Sequence, residues 1–191
     1  NKLGKLNSND LAILTKKFYN DTYTMDQFGC SSPNSVFWLG KNNIAKKKFW
    51  FELSKIVNKK YHLDLSGANK KISNLMNYTL GKNKRFKANI KNFNLITLKS
   101  KKISFDNFEN INFGTFLEIN LHDINHLRKY TSEKLQTVTY YGTDFKSIKK
   151  FIINNKIKGI DRIVPIGRAF DLTPEWDGVD IISTLSRTIG V

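Results

Sequence analysis

Leu135-Gln136-Thr137-Val138-Thr139-Tyr140-Tyr141-Gly142-Thr143-Asp144 leads into Phe145, Ile148, Ile152 and Ile153 at helical spacing, and then into Lys158-Gly159 and Arg162-Ile163-Val164-Pro165-Ile166. This region decides the fold. The first run is rich in β-branched and aromatic residues and closes at Gly142, which reads as a strand. Thr143-Asp144 starts a helix, Lys158-Gly159 ends it, and Arg162 to Ile166 is a second strand. Two strands joined through a helix by short links must be parallel, because a tight hairpin joins only antiparallel strands. Such crossovers are right-handed almost without exception.

The same alternation extends upstream. Thr115-Phe116-Leu117-Glu118-Ile119-Asn120-Leu121 alternates cleanly behind Gly114, and Asp123 caps a helix carrying Ile124 and Leu127. Phe93 to Leu98 alternates less cleanly and is a further strand. Near the start, Ser8-Asn9-Asp10 opens a helix with Leu11, Leu14 and Phe18 inward, ending near Asn20-Asp21. Val36 to Leu39 is the next strand, turned by Gly40-Lys41-Asn42-Asn43. An amphipathic helix then runs from Ile44 to Lys59, with Phe49, Leu53, Ile56 and Val57 inside and lysines on the solvated face. Ser66-Gly67 opens another helix through Ile72, Leu75 and Met76 that stops near Gly81, before an exposed basic turn at Lys82-Asn83-Lys84-Arg85. In the tail, Pro174, Trp176 and Gly178 supply turn and anchor chemistry, and Val179 to Ile189 forms a short apolar helix suited to docking. These elements predict an α/β fold: a three-layer αβα domain with a mostly parallel sheet, spanning 1–191, with 167–191 as a docking tail.

The 191 residues are 40% apolar and 13% aromatic, enough for a sizeable core. The formal charge of +16 raises a basic nucleic-acid-binding module as one reading. Lysine supplies nearly all of the excess and is scattered from Lys2 to Lys158, which argues for a general composition bias and not for a binding tract. A lone cysteine forms no internal disulfide, which predicts a reducing, cytoplasmic setting. No apolar run reaches transmembrane length, and no signal peptide is visible. The chain opens on Asn1 without Met and reads as a piece of a longer polypeptide.

That cysteine lies in Thr24-Met25-Asp26-Gln27-Phe28-Gly29-Cys30-Ser31-Ser32-Pro33-Asn34. Gly29, Ser31 and Ser32 let a carbonyl approach the sulfur and leave backbone N–H groups free for an oxyanion. Pro33 stiffens the exit, and the strand that follows can aim the thiol. No basic side chain lies within the stretch, so activation falls to backbone dipoles or to distant residues. The alternative is a small buried hydrophobe without chemistry. Glu118 is a candidate catalytic or cofactor-facing carboxylate, with an outward polar residue on an alternating strand as its alternative. His122 and His126 are four apart, but with His62 they form no metal-site pattern and read as surface residues. Phosphate-binding glycine loops and the G-x-S-x-G serine elbow are absent.

Asp26-Gln27-x-Gly29-Cys30-Ser31-Ser32-Pro33, the strand behind it, the run Gly159-Ile160-Asp161-Arg162-Ile163-Val164-Pro165-Ile166-Gly167-Arg168-Ala169, and Trp176-Asp177-Gly178 together resemble the LuxC-type bacterial acyl-CoA reductases of the aldehyde dehydrogenase superfamily. That family feeds long-chain aldehyde to bacterial bioluminescence and also occurs in non-luminous bacteria. The resemblance implies an aldehyde dehydrogenase-like catalytic domain in which Cys30 accepts the acyl group as a thioester, with Gln27, Gly29 and Ser31 shaping the oxyanion loop. It implies reduction to fatty aldehyde by NADPH, no metal, an acyl-CoA or acyl-donor-protein substrate, and a homo-oligomer. The superfamily's ribose-binding glutamate precedes a Phe-Gly-Pro turn. Its nearest match here is Glu109 in Glu109-Asn110-Ile111-Asn112-Phe113-Gly114-Thr115, with longer spacing and threonine in place of proline. The superfamily places its nicotinamide-binding domain ahead of the cysteine, so such a domain is expected before Asn1 and the fragment alone is expected not to turn over. A non-catalytic assembly domain of the same fold is the remaining alternative.

Overall fold

Parallel pairing around one central strand organises the molecule. The computed structural model describes residues 2–80, 87–99, 111–133, 135–187 and 189. In chain order the elements are α1 (Ser8–Tyr23), β1 (Ser35–Leu39), α2 (Asn43–Lys60), α3 (Leu65–Leu80), β2 (Lys87–Asn92), β3 (Leu95–Lys99), β4 (Thr115–Leu121), a 3-10 helix (Ile124–Tyr130), β5 (Thr137–Tyr140), α4 (Phe145–Asn154), β6 (Arg162–Pro165), β7 (Glu175–Trp176), β8 (Val179–Asp180) and α5 (Ile181–Leu185). One sheet has the order β1-β4-β3-β2. β4 runs parallel to both β1 and β3, and only the edge strand β2 is antiparallel. β5 and β6 form a second, parallel pair joined through α4, as the strand–helix–strand pattern predicts.

Because side chains alternate along a strand, β4 feeds two cores. Phe116 packs with Leu95 against Leu11, Leu14 and Phe18 of α1 and Phe49, Trp50 and Leu53 of α2. Leu117, Ile119 and Leu121 face the other way, toward Tyr78 and Leu75 of α3 and Leu127 of the 3-10 helix. Helices therefore cover both faces of a mostly parallel sheet. Phe18 meets the Phe49 ring edge-on at 5.3 Å, and Trp50 at 6.2 Å. Such pairs add about 0.5–1.5 kcal/mol each beyond area burial. Asn7 caps α1 at the Asp10 N–H and Asp144 caps α4 at the Ser147 N–H.

Several elements differ from the sequence expectation. In α3 the residues turned inward are Gly67, Lys71 and Tyr78, whereas Ile72 and Met76 lie exposed. The helix is rotated because the Lys71 Nζ reaches the Phe93 and Phe113 carbonyls, at 2.5 and 2.6 Å. In α4, Ile148 and Phe151 are buried, while Phe145 and Ile153 face outward. Lys46 of α2 is buried among the inner residues, its Nζ donating to the Asn120 amide oxygen. The Ile124–Tyr130 segment is a 3-10 and not an α-helix. β2 was not legible, since its residues are almost all exposed and show no apolar face. α5 is shorter than the Val179 to Ile189 helix expected. The basic turn at Lys82 to Arg85 lies outside the described residues.

Lys71 is fully buried, and burial lowers its pKa from 10.5 to about 7. Below that value both folded and unfolded chains hold the proton. Between about 7 and 10.5 only the unfolded chain holds it, so stability rises with pH across that window, by up to ~1.4 kcal/mol per pH unit. Urea midpoints measured from pH 6 to 9 should rise more steeply for the native chain than for Lys71→Met. Equal slopes would contradict this account.

Candidate functional site

The cysteine loop starts where α1 stops. Asp26 and Gln27 follow the helix with φ of 50° and 63°, in the left-handed region that non-glycine residues rarely adopt. Local bonds hold the turn: the Gln27 N–H donates to the Thr22 carbonyl at 2.9 Å, and the Asp26 carbonyl accepts from Phe113 N–H at 3.1 Å. The Asp26 carboxylate accepts the Tyr61 hydroxyl at 2.5 Å. Burial and this carboxylate hold the Tyr61 phenol far above its ordinary pKa, so it remains a donor.

Gln27 is 1% exposed, and its carboxamide is used fully. Its Nε2 donates to the carbonyls of Pro33 and Thr115, at 3.1 and 3.3 Å. Its Oε1 accepts from the N–H groups of Gly114 and Thr115, at 2.7 and 3.2 Å. Gln27 thus fastens both ends of the cysteine loop to the start of β4. Its side chain has no donor left over for an oxyanion, so its contribution to the loop is positional.

Gly29 to Ser32 forms a tight turn closed by the Ser32 N–H on the Gly29 carbonyl at 2.8 Å. Cys30 occupies the corner of that turn and is exposed. Corner N–H groups of a β-turn point outward. Among the described residues no acceptor sits on the Cys30 or Ser31 N–H. Glycine at 29 makes room for the Phe170 ring, since a Cβ there would lie 2.7 Å from it and force it to shift. Ser31 is buried, its hydroxyl bonded to that of Thr137 on β5 at 3.0 Å. Phe28 packs edge-on against Phe113 at 5.2 Å.

The tail segment under the loop is itself clamped. Asp21, at the end of α1, accepts from the N–H groups of Gly167 and Ala169, at 2.6 and 3.1 Å. Burial raises the Asp21 pKa even though these N–H groups act to lower it. The Arg162 guanidinium donates to the carbonyls of Ala169, Arg168 and Asp171, and lies 5.3 Å from the centre of the Trp176 ring. Asp177 and Gly178 adopt positive φ and turn the β7–β8 hairpin, as Asp-Gly pairs do. A small cavity of about 30 Å³ lies between Ser31, Thr137, Asp161, Arg162, Trp176 and Asp177. A larger apolar cleft of about 250 Å³ reaches Pro33 and the flank of β1.

The fold therefore brings Gln27, Gly29, Cys30 and Ser31 together with the Arg162 and Trp176 segments. Glu118 lies elsewhere. It is buried on the face of the sheet that carries Phe116, with Oε1 3.2 Å from the Lys99 Nζ and no partner on Oε2 among the described residues. Glu109 lies outside the described residues. His122 and His126 are exposed and share the Asp123 carboxylate, at 3.5 and 2.9 Å. Among the described residues no group of three potential metal ligands occurs. Asp21, Thr137 and Phe170 position the loop without being legible as such, because each acts across more than a hundred residues of chain or through a bond to backbone.

Replacing Gln27 by alanine leaves the buried Gly114 N–H without its acceptor, while the Thr115 N–H keeps only the Asn112 carbonyl at 3.1 Å. The expected loss of stability is about 1–3 kcal/mol for the Gly114 N–H left unpaired, read from the urea midpoint. A variant as stable as the native chain would show that the carboxamide does not hold the loop.

A family model described as acyl-CoA reductase (LuxC) matches residues 5–188. No curated protein matches the chain. The match covers the cysteine turn, the sheet and the clamped tail, and the chain belongs to the LuxC acyl-CoA reductase family.

Proposed function

We propose that this chain is the catalytic portion of a fatty acyl-CoA reductase, with an aldehyde dehydrogenase-like domain over 1–191, and that Cys30 is its acyl acceptor. The observation that carries this reading is an exposed thiol at the corner of the Gly29–Ser32 turn, beside N–H groups that no acceptor among the described residues occupies, in a member of this family. The Cys30 sulfur, having lost its proton, attacks the thioester carbonyl. The carbon–sulfur bond to coenzyme A breaks, and coenzyme A leaves as a thiolate that takes up a proton. The acyl group stays on Cys30 as a new thioester. Charge on the carbonyl oxygen during attack is met by the Cys30 and Ser31 N–H groups, the kind of preorganised donor that contributes most at such sites. Gln27 and Gly29 keep the turn in shape.

NADPH, when bound, supplies the hydride that releases the acyl group as aldehyde. The described residues do not form a cradle for it: they hold no glycine-rich phosphate loop, and Glu118 is buried against Lys99. We assign that role to a nicotinamide-binding domain preceding Asn1, in a longer enzyme working in the cytoplasm. No described helix is long and apolar enough to cross a membrane. The segment 167–191 carries exposed Ile182, Leu185 and Ile189, which suits docking within a homo-oligomer or against an acyl-donor protein.

Incubating the chain with a long-chain acyl-CoA should give one acyl adduct by intact mass, absent in Cys30→Ala. NADPH-dependent aldehyde release by this chain alone should be undetectable. An adduct that persists in Cys30→Ala would overturn the assignment of the thiol, and robust turnover would overturn the need for a second domain.

A further inference from the structure

The apolar cleft of about 250 Å³ has an unusual lining. Every residue of β1 from Ser35 to Leu39 borders it, and so does the unbroken run from Val138 to Thr143 on and after β5. Consecutive strand residues alternate between faces, so an unbroken run on a cavity wall means that the cavity lies along the strand's edge. Among the described residues β1 is the outer strand of its sheet and pairs only with β4, while β5 pairs only with β6. The Asn34 carbonyl and the Gly40 N–H are both bonded to β4, so by the period of two the backbone groups of Ser35 and Leu39 turn toward the cleft. The Gln136 and Tyr140 carbonyls accept from the chain at β6, so those of Thr139 and Tyr141 turn toward it as well.

The cleft is closed above and below by apolar side chains. Leu14, Phe18 and Phe49 border it from the α1–α2 layer, and Leu121, Leu127 and Ile148 from the opposite layer. Two strand edges at the sides and two apolar layers above and below make the environment of a central strand buried on both faces. We propose that this slot receives one further β-strand, supplied by the polypeptide that precedes Asn1, so that the two sheets become one with the order β6-β5-X-β1-β4-β3-β2. Lys2 and Leu3 already border the slot, and Lys2 lies against Gly142 at the end of β5, so a segment leading into Lys2 enters without crossing a helix layer. The incoming segment is an apolar, β-branched run, as strands covered on both faces are.

A hydrocarbon chain is the competing occupant for a cleft of this size. It would fill the volume but offer no partner to the cleft-facing backbone groups of Ser35 and Leu39 or to the Thr139 and Tyr141 carbonyls, each then buried at a cost of about 1–3 kcal/mol. A strand satisfies both edges. Cys30 does not border the slot. The proposal rests on the chain being part of a longer enzyme and not on the acyl chemistry, so an acyl adduct on Cys30 without a paired slot would uphold one reading and overturn the other.

Hydrogen exchange read by mass spectrometry on this chain and on the product of its complete gene tests the idea. Peptides covering Ser35–Leu39 and Val138–Tyr141 should exchange at least about tenfold more slowly in the complete product, while β4, paired on both sides, changes little. Equal exchange in the two proteins would overturn the proposal. So would equal protection of both edges by laurate added to this chain, or a gene whose coding sequence opens at Asn1.

Discussion

One carboxamide sets the geometry on which the rest depends. Gln27 ties Pro33, Gly114 and Thr115 together with one side chain, and it does so from a backbone conformation that costs free energy. The left-handed turn at Asp26 and Gln27 is of the kind that persists only where its surroundings over-determine it. Here those surroundings are the carboxamide itself, the Tyr61 hydroxyl on Asp26 and the Phe113 N–H on the Asp26 carbonyl. The strained turn and the exposed thiol three residues later are parts of one arrangement. The chain leaves α1 sharply, is pinned at the start of β4, and leaves Cys30 exposed at the corner of the turn that follows.

A second set of contacts holds the other side of the loop, and it is built from residues far away in sequence. Asp21 at the end of α1 and Arg162 at the start of β6 hold the Gly167–Asp171 segment between them by its N–H and carbonyl groups. That segment presents Phe170 to Gly29. Ser31 then closes the circuit through Thr137. The cysteine turn, β5, β6 and the tail thus form one packed unit, which explains why the sequence features shared with the reductase family fall in such widely separated stretches.

What could be read in advance followed from local chemistry. The β4 strand was legible because Phe116, Leu117 and Ile119 alternate behind a glycine, and the β5–α4–β6 unit because Gly142, Asp144 and Gly159 punctuate it. The small-residue turn around Cys30 was legible for the same reason. The inward faces of α3 and α4 were not, since the choice there is tertiary. Lys71 is inside because two carbonyls await it, and no pattern of apolar residues announces a buried lysine. The roles of Asp21 and Arg162 were hidden because each reads backbone groups, and backbone groups carry no sequence signature. Glu118 on an alternating strand reads as an outward polar residue or a cofactor-facing carboxylate, yet lies buried beside Lys99.

The central claim is that the fold presents Cys30 to an incoming acyl thioester. The most direct measurement is the rate at which iodoacetamide alkylates the native chain, with and without a saturating long-chain acyl-CoA. The account predicts alkylation at least as fast as in the urea-unfolded chain, and strong suppression when acyl-CoA is present. Slow alkylation that urea accelerates, or a rate indifferent to acyl-CoA, would contradict it.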